Sequence, residues 1–455
     1  MALGASALFW LVIAQSYVAF LAQSDPEASL RIRVTAPALL NLVERRLTDT
    51  RKTGATEASV EPGRLPPAAE PRPAHDDRDR ISVLADLAAR RFSGADAPSE
   101  AGPIAPRSPE KEELYQMVRE ALRREPLNAR GLRLLAELSE GHAPRSEVAR
   151  LMRMAVRRNL HESIAVFWLL NEALAEKNYT DVITYADILL RTEARLNAHA
   201  IHALAKACDD SAGLDLVLQA LRANPRWRSA FITSVSQYVT DARTPLQLLI
   251  GLKDSGYPPT TAELAPFFGL LLRNRLHELA YYTWVQFLPP EQLVRVVVPF
   301  NGDFETQPSG LPFDWNIPSS PNAIAGIVSL PPPGGKALRV EFGLGRIEFA
   351  GVSQLVLLPP GDYTFSASYT ASINGRRGLV WAIACVDGGK ELGRTAMMLG
   401  SVPKPTPIMF NFKVPETECR AQQLRLFHDS RSASEQFVSG WSNQQDVRIT
   451  RRDEP

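Results

Sequence analysis

At Val298 the pattern of apolar residues changes abruptly. Between Glu110 and this point, apolar residues recur three and four positions apart, which predicts amphipathic helices. After it, short runs such as GDYTFSASYTA and LVWAIACV alternate with Gly and Pro turns. Seven or more such strands without helices predict an antiparallel β-sandwich or jelly roll over residues 298–455. The sequence therefore predicts a multidomain chain in which α structure is followed by β structure.

The helical region contains two similar stretches, Ala129–Arg158 and Ser163–Thr192, which superpose at an offset of 34 residues. Each has the pattern of a helix, a tight turn and a second helix. The preceding ALRREPLNAR places Pro126 at the end of one helix and Asn128 where it can cap the next. The pattern resembles tetratricopeptide repeats. This resemblance predicts a helical repeat domain over residues 110–297 whose groove binds a protein partner.

The first segment, Ala2–Ala22, carries no charge and is about long enough to cross a bilayer as a helix. We therefore predict a transmembrane anchor over residues 1–24. Phe20 and Tyr17 stand where a signal-peptidase site needs small residues, which favours an uncleaved anchor. The arginines after the segment, Arg31 and Arg33, would by their count alone keep the body in the cytoplasm.

Residues 25–109 are predicted to be a linker. The stretch from about Thr48 to Pro109 is rich in Pro, Ala and charged residues, with little sustained apolar periodicity. Within the linker, Pro37–Leu47 and Ile81–Phe92 have helical spacing and could form marginal helices.

The charges nearly balance: 51 basic and 50 acidic side chains give a net charge of +1, which offers no argument for nucleic-acid binding. There is no HExxH, GxSxG, Walker phosphate loop or dinucleotide-binding motif, so we predict a non-enzymatic protein. Glu341 and Glu348, on neighbouring predicted strands, are the pair that a glycan-modifying or accessory enzyme could use. Solvent-facing positions explain both residues equally well.

The three cysteines, Cys208, Cys385 and Cys419, form no CxxC unit, which excludes a zinc knuckle or a thioredoxin-type site. Cys385 and Cys419 each fall in or beside a predicted strand. They form one disulfide if this region is exported, or else they are two ordinary buried thiols.

The predicted sandwich opens with Asn-Gly-Asp-Phe-Glu at residues 301–305 and closes with WSNQQDVRI at residues 441–449. This beginning and ending resemble the galactose-binding-like sandwiches of many carbohydrate-binding modules. The resemblance implies a structural calcium where the two ends meet, with Glu305 and Asp446 as carboxylate ligands and Asp303 as a weaker candidate. Alternatively, Glu305 and Asp446 only cap strands or pair with Arg448.

The same resemblance implies contact with a polysaccharide, for which exposed aromatic rings and hydrogen-bonding groups are needed. The candidate glycan-binding residues are Trp315, Tyr369, Arg376, Arg377, Trp381 and Trp441. For each aromatic residue among them, a position in the core is the alternative.

The stretch from Leu338 to Asp446, with VEFGLGRIEFAGVSQLVLLPPGDYTFS and the VPETEC run, is also similar to membrane proteins of exopolysaccharide loci in alphaproteobacteria. That resemblance implies a scaffold at the bacterial inner membrane with a periplasmic body and a role in exopolysaccharide assembly or export. The alternatives are the enzyme described above and a sandwich that is purely structural.

Overall fold

The computed structural model describes residues 2–57, 106–239, 242–294, 297–331 and 334–452; side chains of residues 2–12 and 51–57 lie outside this description. The predicted helix Ile81–Phe92 is therefore outside the described residues. The chain forms two compact units, residues 1–231 and 232–455. The helices are α1 Ala2–Ser24, α2 Pro26–Ile32, α3 Ala36–Glu57, α4 Pro109–Arg124, α5 Ala129–Ser139, α6 Arg145–Arg158, α7 Ser163–Ala175, α8 Tyr179–Thr192, α9 Asn197–Ala207, α10 Ser211–Arg222, α11 Arg228–Tyr238, α12 Arg243–Lys253, α13 Thr261–Arg273, α14 His277–Gln286 and α15 Pro290–Leu293.

The predicted transmembrane anchor finds no support among the described helices. Residues 2–24 are helical, but in the part of the chain that was described no helix combines the length and apolar character of a membrane span. The second half of α1 contacts the helices that follow it. Ser29 Oγ donates to Val18 O at 3.1 Å, and Asn41 Nδ2 donates to Ala22 O.

The prediction of a linker from residue 25 is wrong for its first part. Helix α3 extends ten residues beyond the predicted Pro37–Leu47, and it packs on α4 and α5. The shared core contains Ala36, Leu39, Leu40, Val43, Leu114, Val118, Ala121, Leu134 and Leu138. Because α3 contributes four of these buried side chains, it belongs to the helical body rather than to a connecting segment.

The two similar stretches of the sequence form successive helical hairpins. Helices α7 and α8 begin 34 residues after α5 and α6, respectively, which is the offset of the sequence similarity. Asn128 caps α5, as predicted, because its Oδ1 accepts from Gly131 N at 3.0 Å. Asn178 caps α8 in the same way. The hairpins are observed; their membership of a repeat family stays a prediction.

Helix α13 begins with a capping box. Thr260 Oγ1 accepts from Glu263 N, and the Glu263 carboxylate accepts from Thr260 N at 3.0 Å. We expect Thr260→Ala to lower the free energy of unfolding of the 232–455 unit by about 1 kcal/mol, because one helix-terminal N–H loses its acceptor. Urea unfolding measures the change. Thr260→Ser, which keeps the hydroxyl, should cost distinctly less, and equal losses for the two variants would contradict the capping role.

The β region forms two antiparallel sheets, as predicted. The strands are β1 Ala323–Ser329, β2 Lys336–Phe342, β3 Val352–Val356, β4 Gly361–Gly375, β5 Leu379–Cys385, β6 Glu391–Arg394, β7 Gly400–Val414, β8 Gln422–His428 and β9 Val438–Arg451. Their orders in the two sheets are β1-β2-β9-β4-β7 and β3-β8-β5-β6. Side chains of both sheets meet in one core, which includes Leu338, Phe365, Trp381 and Leu424. The two sheets therefore enclose a sandwich core.

The change of secondary structure at Val298 is not a boundary between compact units, because α12–α15 belong to the same unit as the sandwich. Aromatic rings of α14 contact aromatic rings of the segment that enters the sandwich. Trp284 of α14 is 1% exposed, and its ring centroid lies 5.0 Å from that of Phe300 and 5.7 Å from that of Phe313. Tyr281, one turn earlier, contacts Phe313 edge-on at 5.3 Å. The chain that enters the sandwich is thus held by a helix face.

Candidate functional site

The outer face of the five-stranded sheet carries Trp441. On β9, Ser442 and Gln444 are fully buried, and Gln444 accepts from Trp381 Nε1 at 2.8 Å inside the core. Because side chains alternate along a strand, Trp441 and Asn443 point to the opposite face. Trp441 is half-buried there, so part of its ring reaches the surface.

A row of side chains crosses the sheet at Trp441. In the strand register Ile324 pairs with Glu341, Glu341 with Trp441, Trp441 with Ser372, and Ser372 with Ser401. Directly paired residues share a face of the sheet. The ring is therefore flanked by the Glu341 carboxylate and the Ser372 hydroxyl, and Ile324 and Ser401 lie one strand further away on either side.

The next row adds a cation and an amide. Arg339 pairs with Asn443, and Asn443 pairs with Thr370. The Arg339 guanidinium lies 4.9 Å from the centroid of the Trp441 ring, and its Nε donates to Glu341 at 3.2 Å. A cation over an indole face is favourable, so Arg339 holds the ring in place from one side.

Asn443 contributes an acceptor to this face. Its side chain is 5% exposed, and Nδ2 donates to Thr370 Oγ1 at 3.3 Å. Its Oδ1 is buried, and no described residue donates a hydrogen bond to it. A buried acceptor without a donor costs free energy.

The backbone next to Trp441 requires glycine. Gly440 has a φ of +106°, and a Cβ at this position would lie 1.8 Å from Ser372 O. The close approach of β9 to β4 fixes where the indole leaves the strand. The position of Trp441 is thus set by the backbone as well as by Arg339.

Three of the predicted aromatic platforms are wrong. Trp315 and Trp381 are fully buried, with ring centroids 5.7 Å apart, and Tyr369 points inward from β4 and is 9% exposed. Trp315 Nε1 donates to Asn301 O at 2.8 Å. Both tryptophans satisfy their N–H groups inside the core, so neither ring is available to a ligand.

The two arginines of the β4–β5 turn differ in role. Arg377 forms an ion pair with Asp429, and its Nε donates to Asp429 O at 2.8 Å. It therefore ties this turn to the chain after β8 and is not free to bind a ligand. Arg376 is exposed, but it follows the end of β4, four residues beyond Ser372. The structure does not bring it to the row of Trp441.

The predicted calcium ligands lie where the two ends of the sandwich meet. Val447 N donates to Gly302 O at 2.9 Å, which brings the opening segment against β9. Glu305 accepts from Lys336 N at 3.3 Å, and Asp446 lies 3.5 Å from Arg448. These contacts match the alternative in which the two carboxylates cap a strand and pair with a cation.

The third predicted calcium ligand, Asp303, has a local partner as well, because its Oδ1 accepts from Glu305 N at 3.4 Å. Among the described residues no three His, Cys, Asp or Glu side chains cluster to hold a metal ion. Calcium is also bound by backbone carbonyl oxygens, so the calcium site stays a prediction.

The sandwich contains a disulfide between Cys385 and Cys419, whose Cα atoms lie 5.1 Å apart. It joins the end of β5 to the segment before β8. Cys208, in the helical unit, is a buried free thiol, and burial raises its pKa to about 12. That thiol is therefore protonated and unreactive at neutral pH.

The two carboxylates predicted as a possible pair, Glu341 and Glu348, each lie beside an arginine. Glu341 pairs with Arg339 on the outer face, whereas Glu348 lies 3.6 Å from Arg346. Burial raises the pKa of Asp314, but its oxygens accept hydrogen bonds from Ser309 and from Trp315 N. Asp314 thus organises the loop before β1.

The fold and the face around Trp441 define a protein with helical hairpins and an antiparallel β-sandwich that carries a half-exposed aromatic ring among polar groups. No protein-family model matches this chain, and no curated protein does. Among solved structures, similarity extends to the CBM22-1 xylan-binding domain from Paenibacillus barcinonensis Xyn10C, with 13% identity, a TM-score of 0.24, and coverage of 34% of this chain and 94% of that one.

Two other solved structures are similar at the same level. A structure described as CBM4 has 14% identity and a TM-score of 0.24, covering 33% of this chain and 98% of that one. TmCBM61 in complex with β-1,4-galactotriose has 20% identity and a TM-score of 0.23, covering 33% of this chain and 96% of that one. Likeness at these values assigns neither a ligand nor an activity to this chain.

Proposed function

We propose that the sandwich recognises glycan through the outer face of its five-stranded sheet and that this protein is a non-enzymatic binding component. The observation that carries the proposal is Trp441, a half-buried indole held on that face by Arg339. An indole offers a flat apolar surface on which the apolar face of a pyranose can pack.

The polar groups around the ring suit the edge of a sugar. Thr370 and Ser372, which are half-buried, present hydroxyl groups on the same face of the sheet as Trp441. A sugar ring stacked on the indole would bring its hydroxyl groups to these partners.

Binding to a panel of bacterial polysaccharides tests the proposal. The full chain is the right material, because removing residues before 298 would expose Phe300 and Phe313, which contact α14. In affinity electrophoresis we expect at least one polysaccharide to retard the wild-type protein, and we expect Trp441→Ala to weaken that binding about tenfold or more.

Phe437→Ala is the matched control, because Phe437 is also a large aromatic residue on the sandwich and is 59% exposed. We expect this variant to bind as the wild type does. The proposal fails if no polysaccharide binds, or if the two variants lose binding equally. Repeating the assay with calcium and with a chelator tests the calcium prediction separately.

The absence of catalysis is part of the proposal. It is supported by the arginine partners of Glu341 and Glu348, because each carboxylate forms an ion pair. A glycoside hydrolase needs two carboxylates placed across one sugar-binding cleft. Release of reducing sugar from a bound polysaccharide, abolished by Glu341→Gln, would contradict it.

A second candidate role, a structural sandwich without a ligand, is favoured by one observation. The aromatic contact of Trp284 with Phe300 and Phe313 fixes the sandwich to α14. A purely structural sandwich needs that contact but has no use for a half-exposed Trp441. If no polysaccharide in the panel binds the protein, the structural role is the one that remains.

The setting and the partners complete the proposal. The Cys385–Cys419 disulfide supports a compartment outside the reducing cytoplasm, here the periplasm. The helical hairpins of residues 129–192 supply a surface for a protein partner. Their combination with a glycan-contacting sandwich gives a scaffold, and exopolysaccharide assembly or export is the process that the sequence resemblance implies.

A further inference from the structure

One face of α14 docks on the sandwich. His277, Tyr281 and Trp284 occupy positions i, i+4 and i+7 of this helix, and residues with this spacing lie on one side of a helix. Tyr281 and Trp284 pack against aromatic rings of the chain entering the sandwich. His277 therefore lies at the N-terminal end of the same contact face.

The His277 ring is buried without a hydrogen-bond partner. The residue is 3% exposed, and neither Nδ1 nor Nε2 has a partner among the described residues. A neutral imidazole in this place leaves one donor and one acceptor unpaired. An imidazolium would leave two buried donors and an uncompensated charge, which costs considerably more.

The charged groups near His277 come from three segments. Arg275 precedes α14, Asp387 lies in the β5–β6 turn of the sandwich, and Arg420 lies just before β8. Arg275 Nε is 3.7 Å from Asp387, so the one carboxylate that favours a charged imidazole is shared with an arginine. Glu278 is adjacent in sequence. The N-terminal position in the helix also disfavours a positive charge.

We propose that the docking of α14 on the sandwich is a proton-sensitive contact, in which charging of His277 in mild acid releases this helix face. The release would free the chain segment that enters the sandwich, because Tyr281 and Trp284 hold Phe300 and Phe313 in that position. This proton-sensitive contact does not depend on glycan binding.

The direction of the pH effect follows from the burial of His277. Burial lowers the pKa of this imidazole below its usual value, Arg275 and Arg420 act in the same direction, and Asp387 opposes them. The undocked chain therefore binds a proton at a higher pH than the docked chain does. The docked state is fully stable above the ordinary histidine pKa of about 6.5 and loses stability as the pH falls below it.

Hydrogen exchange of the full chain tests this inference. We expect the protection factors of the α14 amides in the wild type to fall severalfold between about pH 8 and about pH 5. In His277→Gln, which cannot take up a proton, we expect them to stay the same. His161→Gln, at an exposed histidine of the helical unit, should behave as the wild type does. An equal acid-induced loss in His277→Gln and the wild type would overturn the inference.

A measurement on the unaltered protein covers the case in which His277→Gln does not fold. The pKa of the His277 ring, followed by NMR in the wild type, is expected to lie below the ordinary histidine pKa of about 6.5. An equal or higher pKa for His277 would overturn the inference.

Discussion

Replacing Trp284 by alanine is expected to lower the free energy of unfolding of the 232–455 unit by about 3–5 kcal/mol, the range for large aromatic truncations in cores. The indole is 1% exposed and contacts Phe300 and Phe313. Its removal leaves a cavity between α14 and the sandwich that these rings cannot fill. Urea unfolding followed by circular dichroism measures the change.

The control is Tyr282→Ala on the same helix. Tyr282 is 64% exposed, so we expect its truncation to change the free energy of unfolding by no more than about 0.5 kcal/mol. A loss for Trp284→Ala as small as that for Tyr282→Ala would show that α14 is not docked on the sandwich.

A second large effect is expected in the helical unit at Arg133. This side chain is 3% exposed and forms ion pairs with Glu44, Glu137 and Glu162, the last at 2.7 Å. Arg133→Met leaves those half-buried or buried carboxylates without their shared cation. Breaking such a buried network by removing one partner costs about 3–5 kcal/mol.

Arg124→Met provides the comparison, because Arg124 also pairs with a glutamate, Glu120, but on the surface of α4. We expect Arg124→Met to lower the free energy of unfolding by less than about 1 kcal/mol. Thermal unfolding at one pH compares the two variants with the wild type. A similar loss of stability in Arg133→Met and Arg124→Met would contradict the structural role of the Arg133 network.

The Arg133 network also explains why the sequence predicted only a marginal helix within a linker where α3 packs on the helices that follow it. The middle of this helix, residues 43–52, reads VERRLTDTRK, which is mostly polar and gives little indication of burial. Its position depends on Glu44, whose partner Arg133 lies 89 residues away. Local periodicity cannot show a pairing of that separation, so the segment resembled a linker.

The strands were predictable where one face is buried and the other is not. The alternation along β4, with Tyr363, Phe365 and Ala367 inside and Ser and Thr outside, is visible in the sequence. The strand of Trp381, LVWAIAC, is buried on both faces and shows no alternation. For this reason the sequence could not separate Trp381 from Trp441.

The residues that complete the candidate face are dispersed. Arg339 and Thr370 reach Trp441 or its neighbour Asn443 through strand pairings between β2, β9 and β4. Pairing of the last strand with the second and the fourth is a property of the topology, which the spacing of residues does not reveal. Polar residues are common at outward positions of strands, so this pattern could not identify Arg339 or Thr370 as part of the candidate face.

Hydroxyl-radical footprinting of the full chain tests the glycan-binding face most directly. With a polysaccharide that retards the wild type, we expect oxidation of Trp441 to fall on binding, while oxidation of exposed Phe437 stays unchanged. Protection confined to the surface around Trp441 is the result that this account predicts. Unchanged oxidation of Trp441 in the bound protein, with protection elsewhere, would contradict it.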